Sequence, residues 1–167
     1  MAAPSDPQSE SVNERLADFV CARKDEIIRA WVGRIQADEA MKTEELTTNQ
    51  IRDHLPRLLD DLADTLRRLG NDRLVEQTAE DAEKHGAERW QQGYNIAKLL
   101  REIMHLREIF IYHLRIFEDT HTDLGTPARL FTHSSVHHFL DELGINAIER
   151  FLASEKRARR EASGLAV

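Results

Sequence analysis

Between Ile103 and Phe117 most positions are apolar: Ile103, Met104, Leu106, Ile109, Phe110, Ile111, Tyr112, Leu114, Ile116 and Phe117. The polar residues Arg101, His105, Glu108, Arg115 and Asp119 fall on one narrow stripe at four- and three-residue spacing, interrupted only by Tyr112. That period is helical, and a helix apolar around most of its girth must be covered on several sides. Such a segment is either the central helix of a bundle or the meeting place of two subunits.

The rest of the chain supplies helices to cover it. The 167 residues include only seven Gly and four Pro, and Pro4 and Pro7 fall near the N-terminus. So few breakers leave room for long helices and little for a many-turned β fold. With 41% hydrophobic and 32% charged residues, the composition is globular, and the length suits one domain with a real core.

The pattern predicts five main helices after a disordered tail over 1–10. Ser11 and Glu14 have the spacing of a capping box, opening a helix from Val12 to Ala37 with Leu16, Phe19, Val20, Ile27, Ile28, Trp31 and Ile35 on one face. A polar loop from Asp38 to Leu46 leads to a second capping pattern at Thr47 to Gln50. The next helix carries a stripe of Ile51, Leu55, Leu58, Leu62, Leu66 and Leu69, bent early by Pro56.

A third helix, Arg73 to Gln92, has small residues at Val75, Ala79, Ala82, Gly86 and Gly93 on its inner face, joined by Trp90. Gly inside a helix costs about 1 kcal/mol relative to Ala, so a close helix crossing is expected to offset it at Gly86. Gly93 ends this helix, and Asn95 caps the fourth, Ile96 to Thr120. Thr126 and Pro127 start the fifth as N-cap and first residue, running to about Ala162. Its face is Val136, Leu140, Leu143, Ala147, Ile148, Phe151 and Leu152; beyond Leu152 the stripe vanishes while helix-favouring residues continue. The expected organisation is a helical input domain over 11–155 and an exit helix or linker over 156–167.

Composition also restricts function. A net charge of -7 argues against nucleic acid, whose binding relies on neutralising phosphates, and the basic run at 156–160 is short and flanked by Glu155 and Glu161. Cys21 is the only cysteine, so no intrachain disulfide forms. No signal-peptide pattern opens the chain and no run of about 18 apolar residues exists to span a membrane. A cytoplasmic location is expected.

Few residue sets suggest chemistry. His133 and His137, four apart on one helix, form a weak two-ligand metal candidate whose plainer reading is ordinary helix polarity. His113, beside Ile109, Phe110, Ile116 and Phe117, has the apolar surroundings a haem ligand needs, although a core or interface histidine is commoner. Glu102 with His105 and Glu118 with His121 match a di-iron unit. Both lie on one predicted helix, about 24 Å apart, and cannot share a centre. No nucleophile elbow, phosphate loop or dinucleotide fingerprint is present, and no catalytic residue is assigned.

The stretch from His85 to Tyr94 (His-Gly-Ala-Glu-Arg-Trp-Gln-Gln-Gly-Tyr), continuing to Leu99-Leu100-Arg101-Glu102 and Leu106-Arg107, resembles the N-terminal domain family of RsbT co-antagonist proteins. That family also heads many bacterial sensor histidine kinases. His54-Leu55-Pro56 with its leucine-rich helix and Trp31 in the early helix fit the same pattern, and the likeness spans about residues 14 to 117. The resemblance implies a globin-like all-α bundle without cofactor or catalytic residues. It implies a homodimer that feeds a downstream kinase, PAS or STAS-type domain, or a partner protein. His85, Arg89, Tyr94, Glu102 and Arg107 are its signature residues, expected to form a buried polar network rather than a ligand pocket. The rivals are a haem- or metal-binding sensor, a helix-bundle enzyme and a plain oligomerisation domain.

Overall fold

A computed structural model describes residues 11–41, 55–67 and 84–164. These residues form an all-α bundle with a long C-terminal helix, and no strand occurs among them. Helices α1 (Val12–Ala22) and α2 (Lys24–Ala37) lead into a 3₁₀ turn at Glu39–Met41; α3 spans Leu55–Arg67. Residues 84–91 are helical and are labelled α4; α5 (Ile96–Thr120) and α6 (Thr126–Gly164) complete the bundle.

The Ser11 capping box forms as expected: its hydroxyl accepts from the Glu14 N–H at 3.2 Å, and the Ser11 N–H donates to the Glu14 carboxylate at 2.8 Å. The single first helix does not. It breaks at Arg23 (φ -104, ψ 9) into α1 and α2. Asp25 and Glu26 then sit in the first turn of α2, where the helix dipole favours negative charge. Residues 38–41, the described part of the polar loop expected over Asp38 to Leu46, are also more ordered than the sequence suggests. Asp38 caps a 3₁₀ turn through a 2.9 Å bond from the Ala40 N–H, and Met41 is buried.

Every predicted core position of α1 and α2 is buried except Phe19, which is partly so. On α3, Leu55, Leu58, Leu62 and Leu66 are buried as the stripe requires, together with Leu59 and Ala63. Ile51, Leu69, the Thr47 cap and the small residues Val75, Ala79 and Ala82 lie outside the described residues. Gly93 adopts φ +76, a conformation that favours glycine, and Asn95 accepts from the Lys98 N–H at 2.9 Å to open α5.

The central-helix expectation holds for one side of α5. Leu99, Leu106, Ile109, Phe110, Leu114 and Phe117 are buried, while Leu100, Met104 and Tyr112 are exposed. Helix α6 begins at Thr126 itself, one residue before the predicted start of its first turn, and ends at Gly164 rather than Ala162. Its buried face includes Val136, Leu140, Leu143, Ala147 and Phe151, whereas Leu152, read as core, is 45% exposed. The chain turns at Phe151 from core to open surface and stays helical.

Candidate functional site

Three helices, α2, α4 and α5, and the turn between α4 and α5 meet around Glu102. Glu102, one turn and a half into α5, is 1% exposed, and Arg89 of α4 is completely buried against it. The Arg89 Nε donates to both Glu102 oxygens, at 3.0 and 2.9 Å, and its Nη2 donates to Oε1 at 2.6 Å. The other terminal nitrogen donates to the Gln92 side chain at 2.6 Å. His85, one turn before Arg89, brings its Nε2 to 3.5 Å from the Glu102 Oε2. The Arg89 guanidinium lies 5.2 Å from the ring centre of Tyr94, a cation–π distance. From α2, the Trp31 indole N–H donates to the Glu102 backbone carbonyl at 3.3 Å.

Electrostatics follow from the geometry. Burial pushes the Glu102 carboxyl upward, but His85 and Arg89 outweigh it and hold it below the ordinary carboxylate value. Tyr94 is driven the other way: burial, then the neighbouring Glu102 charge, pushes its phenol above the usual range. Its hydroxyl is buried without a hydrogen-bond partner. A buried ion pair of this kind contributes little net stability, yet removing one partner is costly, because a charge is then left unmatched in a medium of low polarity.

Of the five signature residues, the structure brings His85, Arg89, Tyr94 and Glu102 together. Arg107 is elsewhere: it pairs with Asp141 and reaches the His137 Nδ1 at 3.2 Å, joining α5 to α6. Trp31 and Gln92 also join the network and were not singled out for it from the sequence. Their contacts depend on how α2 and the α4–α5 turn pack, which spacing does not reveal.

Beside the network is a cavity of about 40 Å³. Trp31, Ile103, Leu106 and Leu143 give it apolar walls, and the Glu102, His85 and Lys84 side chains reach it too. It touches five helices, α2 to α6.

The histidine candidates fall outside this site. His113 is 2% exposed and does not line the cavity; its Nδ1 has no hydrogen-bond partner. Burial, reinforced by Arg23 and opposed by Glu26, lowers its pKa. His133 and His137 stack with ring centres 6.3 Å apart, but His133 faces Glu118 at 3.0 Å and His137 faces Arg107. His105 bonds Asp38 at 2.8 Å, away from Glu102. Among the described residues no three histidine, cysteine or acidic side chains gather as a metal site requires. None of the described helices is long and apolar enough to cross a membrane.

No curated protein and no solved structure matches the chain. A family model does, over residues 25–164, which include Trp31, His85, Arg89, Gln92, Tyr94 and Glu102 of the buried network, α2 but for its first residue Lys24, and α6 to its end. The likeness expected over about residues 14 to 117 thus begins later, at residue 25, and reaches through α6 to residue 164, and the chain belongs to the RsbT co-antagonist protein RsbRD N-terminal domain family.

Proposed function

We propose that this domain is a cytoplasmic, cofactor-free signalling input module that dimerises and passes a packing change out through α6. The family is a non-enzymatic, signalling-related one. The observation that carries the finer reading is the course of α6. Its last buried residue is Phe151, yet it continues as exposed helix to Gly164. Exposed helix beyond a core has little to stabilise it in isolation and gains support when paired.

Apolar surface left open on the same helix pair supports a homodimer. Phe131, Ile145 and Leu152 of α6 are 46%, 51% and 45% exposed and recur at heptad-compatible spacing. Leu100 and Met104 of α5, 43% and 59% exposed, continue that surface across the Arg107–Asp141 pair. A two-fold packing of α5 and α6 against their copies buries these residues and sends both α6 ends out on one side. The exits then present paired downstream domains (a kinase, PAS or STAS domain, or a partner protein) to one another.

Light scattering at tens of micromolar is expected to report a dimer, and spin labels at Arg160 to lie within the width of two helix pairs. A monomer removes the reading; a dimer with widely separated labels removes the parallel exit. The haem rival predicts a Soret band that is lost in His113→Ala, and its appearance in freshly purified protein overturns the cofactor-free reading.

A further inference from the structure

We infer that His138 makes the proposed dimer acid-sensitive: a proton gained by this ring, in the row of α6 that meets its copy, separates the two chains and unpairs their exits. The inference rests on the dimer reading above and adds a stimulus to it, mild acidification.

Spacing singles the residue out. Phe131, His138, Ile145 and Leu152 follow one another at seven-residue intervals along α6, and all four are exposed. Three of them are large and apolar, so His138 fills the one polar slot of a heptad row. The buried residues Val136, Leu140, Leu143 and Ala147 lie on the opposite side of the helix. Two neighbouring histidines are taken up within the chain, His133 by Glu118 and His137 by Arg107. No such contact holds His138 among the described residues.

The surroundings set the sign. A residue close to a two-fold axis meets its own copy, so a protonated His138 would face a second cation and lose water as well. Helix α5 brings Arg107 to this part of α6, already held by Asp141 and His137, while the adjacent Glu108 pairs with Arg34 of α2. On α6 itself two carboxylates follow His138. Asp141 is engaged by Arg107. Glu142, one turn on, is beside His138 in the free chain and in the dimer alike, so it favours neither. The copy brings the same set, its Arg107–Asp141 pair closed. The charge that association newly sets against the ring is therefore the second ring.

Histidine is the side chain whose ordinary proton uptake falls between pH 5 and 8. A ring that is harder to protonate in the dimer than in the free chain gives a dimer that binds fewer protons. Association is then strongest at the upper end of that range and weakens as pH falls through it.

The test is sedimentation equilibrium of the whole chain at about pH 7.5 and about pH 5.5, within histidine's ordinary range, with circular dichroism to follow folding. The wild-type Kd is expected to rise about tenfold toward the lower pH. His138→Leu completes the apolar row and is expected to dimerise more tightly, without that dependence. His138→Lys sets a fixed charge in the same place and is expected to be a monomer at the higher pH, where wild type is a dimer. Both changes fall on an exposed position and leave the core of the chain unaltered. His133→Gln is expected to keep the wild-type response, because that ring is paired inside the chain. A wild-type Kd that is equal at both pH values, or a His138→Leu dimer as acid-sensitive as wild type, overturns the inference and leaves the dimer standing. If the chain unfolds at the lower pH, His138→Lys decides alone, and a dimer as tight as wild type overturns it. A wild type that is monomeric at tens of micromolar at both values removes the dimer reading, and the acid response with it.

Discussion

A Cβ placed on Gly86 would lie 2.0 Å from the backbone carbonyl oxygen of Ala147, so α4 and α6 touch main chain to main chain. No rotamer change relieves a clash with backbone, and one helix has to move. In an open helix, Gly→Ala gains about 1 kcal/mol from propensity alone. Here Gly86→Ala is expected to lose about 1–3 kcal/mol, through overpacking of the crossing. The sign of the change in urea denaturation is the test, and a gain in stability means the helices do not meet here.

The buried ion pair makes a second prediction. Arg89→Met leaves the buried Glu102 charge with His85 alone beside it in place of the guanidinium, and is expected to cost about 3–5 kcal/mol. Adding Glu102→Gln to it should recover part of that loss, since the stranded charge is gone. A double variant as unstable as the sum of the singles contradicts the pairing.

Glu102 also has a pH signature. Its folded-state pKa lies below the ordinary value of 4.5, so ionised Glu102 contributes stability that is fully present above that value. The contribution is lost as pH falls through the depressed folded-state pKa. Wild type should therefore lose stability below about pH 4.5 more steeply than Glu102→Gln, as followed by thermal melts across that range.

How much of this was legible follows from the kind of signal each feature leaves. The limits of α5, Ile96 and Thr120, are those its sequence predicts, because Gly93, Asn95 and the polar stripe are local marks. The break at Arg23 leaves no such mark: Leu16, Val20, Ile27, Trp31 and Ile35 stay in helical phase across it, with no Gly or Pro between Val20 and Ile27. Arg89 and Glu102 could be singled out by resemblance, but their pairing spans 13 residues and a turn whose geometry is set by tertiary packing. Arg107 could have been separated from the group on paper. Five residues after Glu102, it points roughly 140° around the helix from it. The cavity was invisible, since a void depends on how five helices fail to fill one place.

His113 is expected to give a stability change at a milder pH. Its folded-state pKa is lowered from 6.5, so the neutral ring favours folding above that value, and the benefit fades as pH falls through the folded-state pKa. Glu26 and Arg23 are the charges that act on it. His113→Leu should remove that slope, so the stability difference between variant and wild type should shift between pH 7 and 5 in the variant's favour. A difference that stays constant over this interval shows that His113 is not a buried neutral ring.

The last prediction separates the open apolar surface from the core. Ile145 is 51% exposed and contributes nothing to the interior of one chain, whereas Leu140, one turn and a half earlier on α6, is fully buried. Ile145→Lys therefore should leave the unfolding of a single chain nearly unchanged, within about 0.5 kcal/mol. In the proposed dimer the same lysine would stand where two copies pack and would have to lose its water, an unfavourable change without a partner charge. The expected result is a monomer by light scattering at concentrations where wild type is a dimer. Met104→Lys on α5 should act alike, because the two residues belong to one surface that crosses the Arg107–Asp141 pair. Tyr112, 61% exposed on a different side of α5, is the internal comparison: Tyr112→Lys should not change the association state. If Tyr112→Lys dissociates the dimer while Ile145→Lys does not, the chains associate through the other side of α5, and the paired exit of the two α6 helices loses its structural basis.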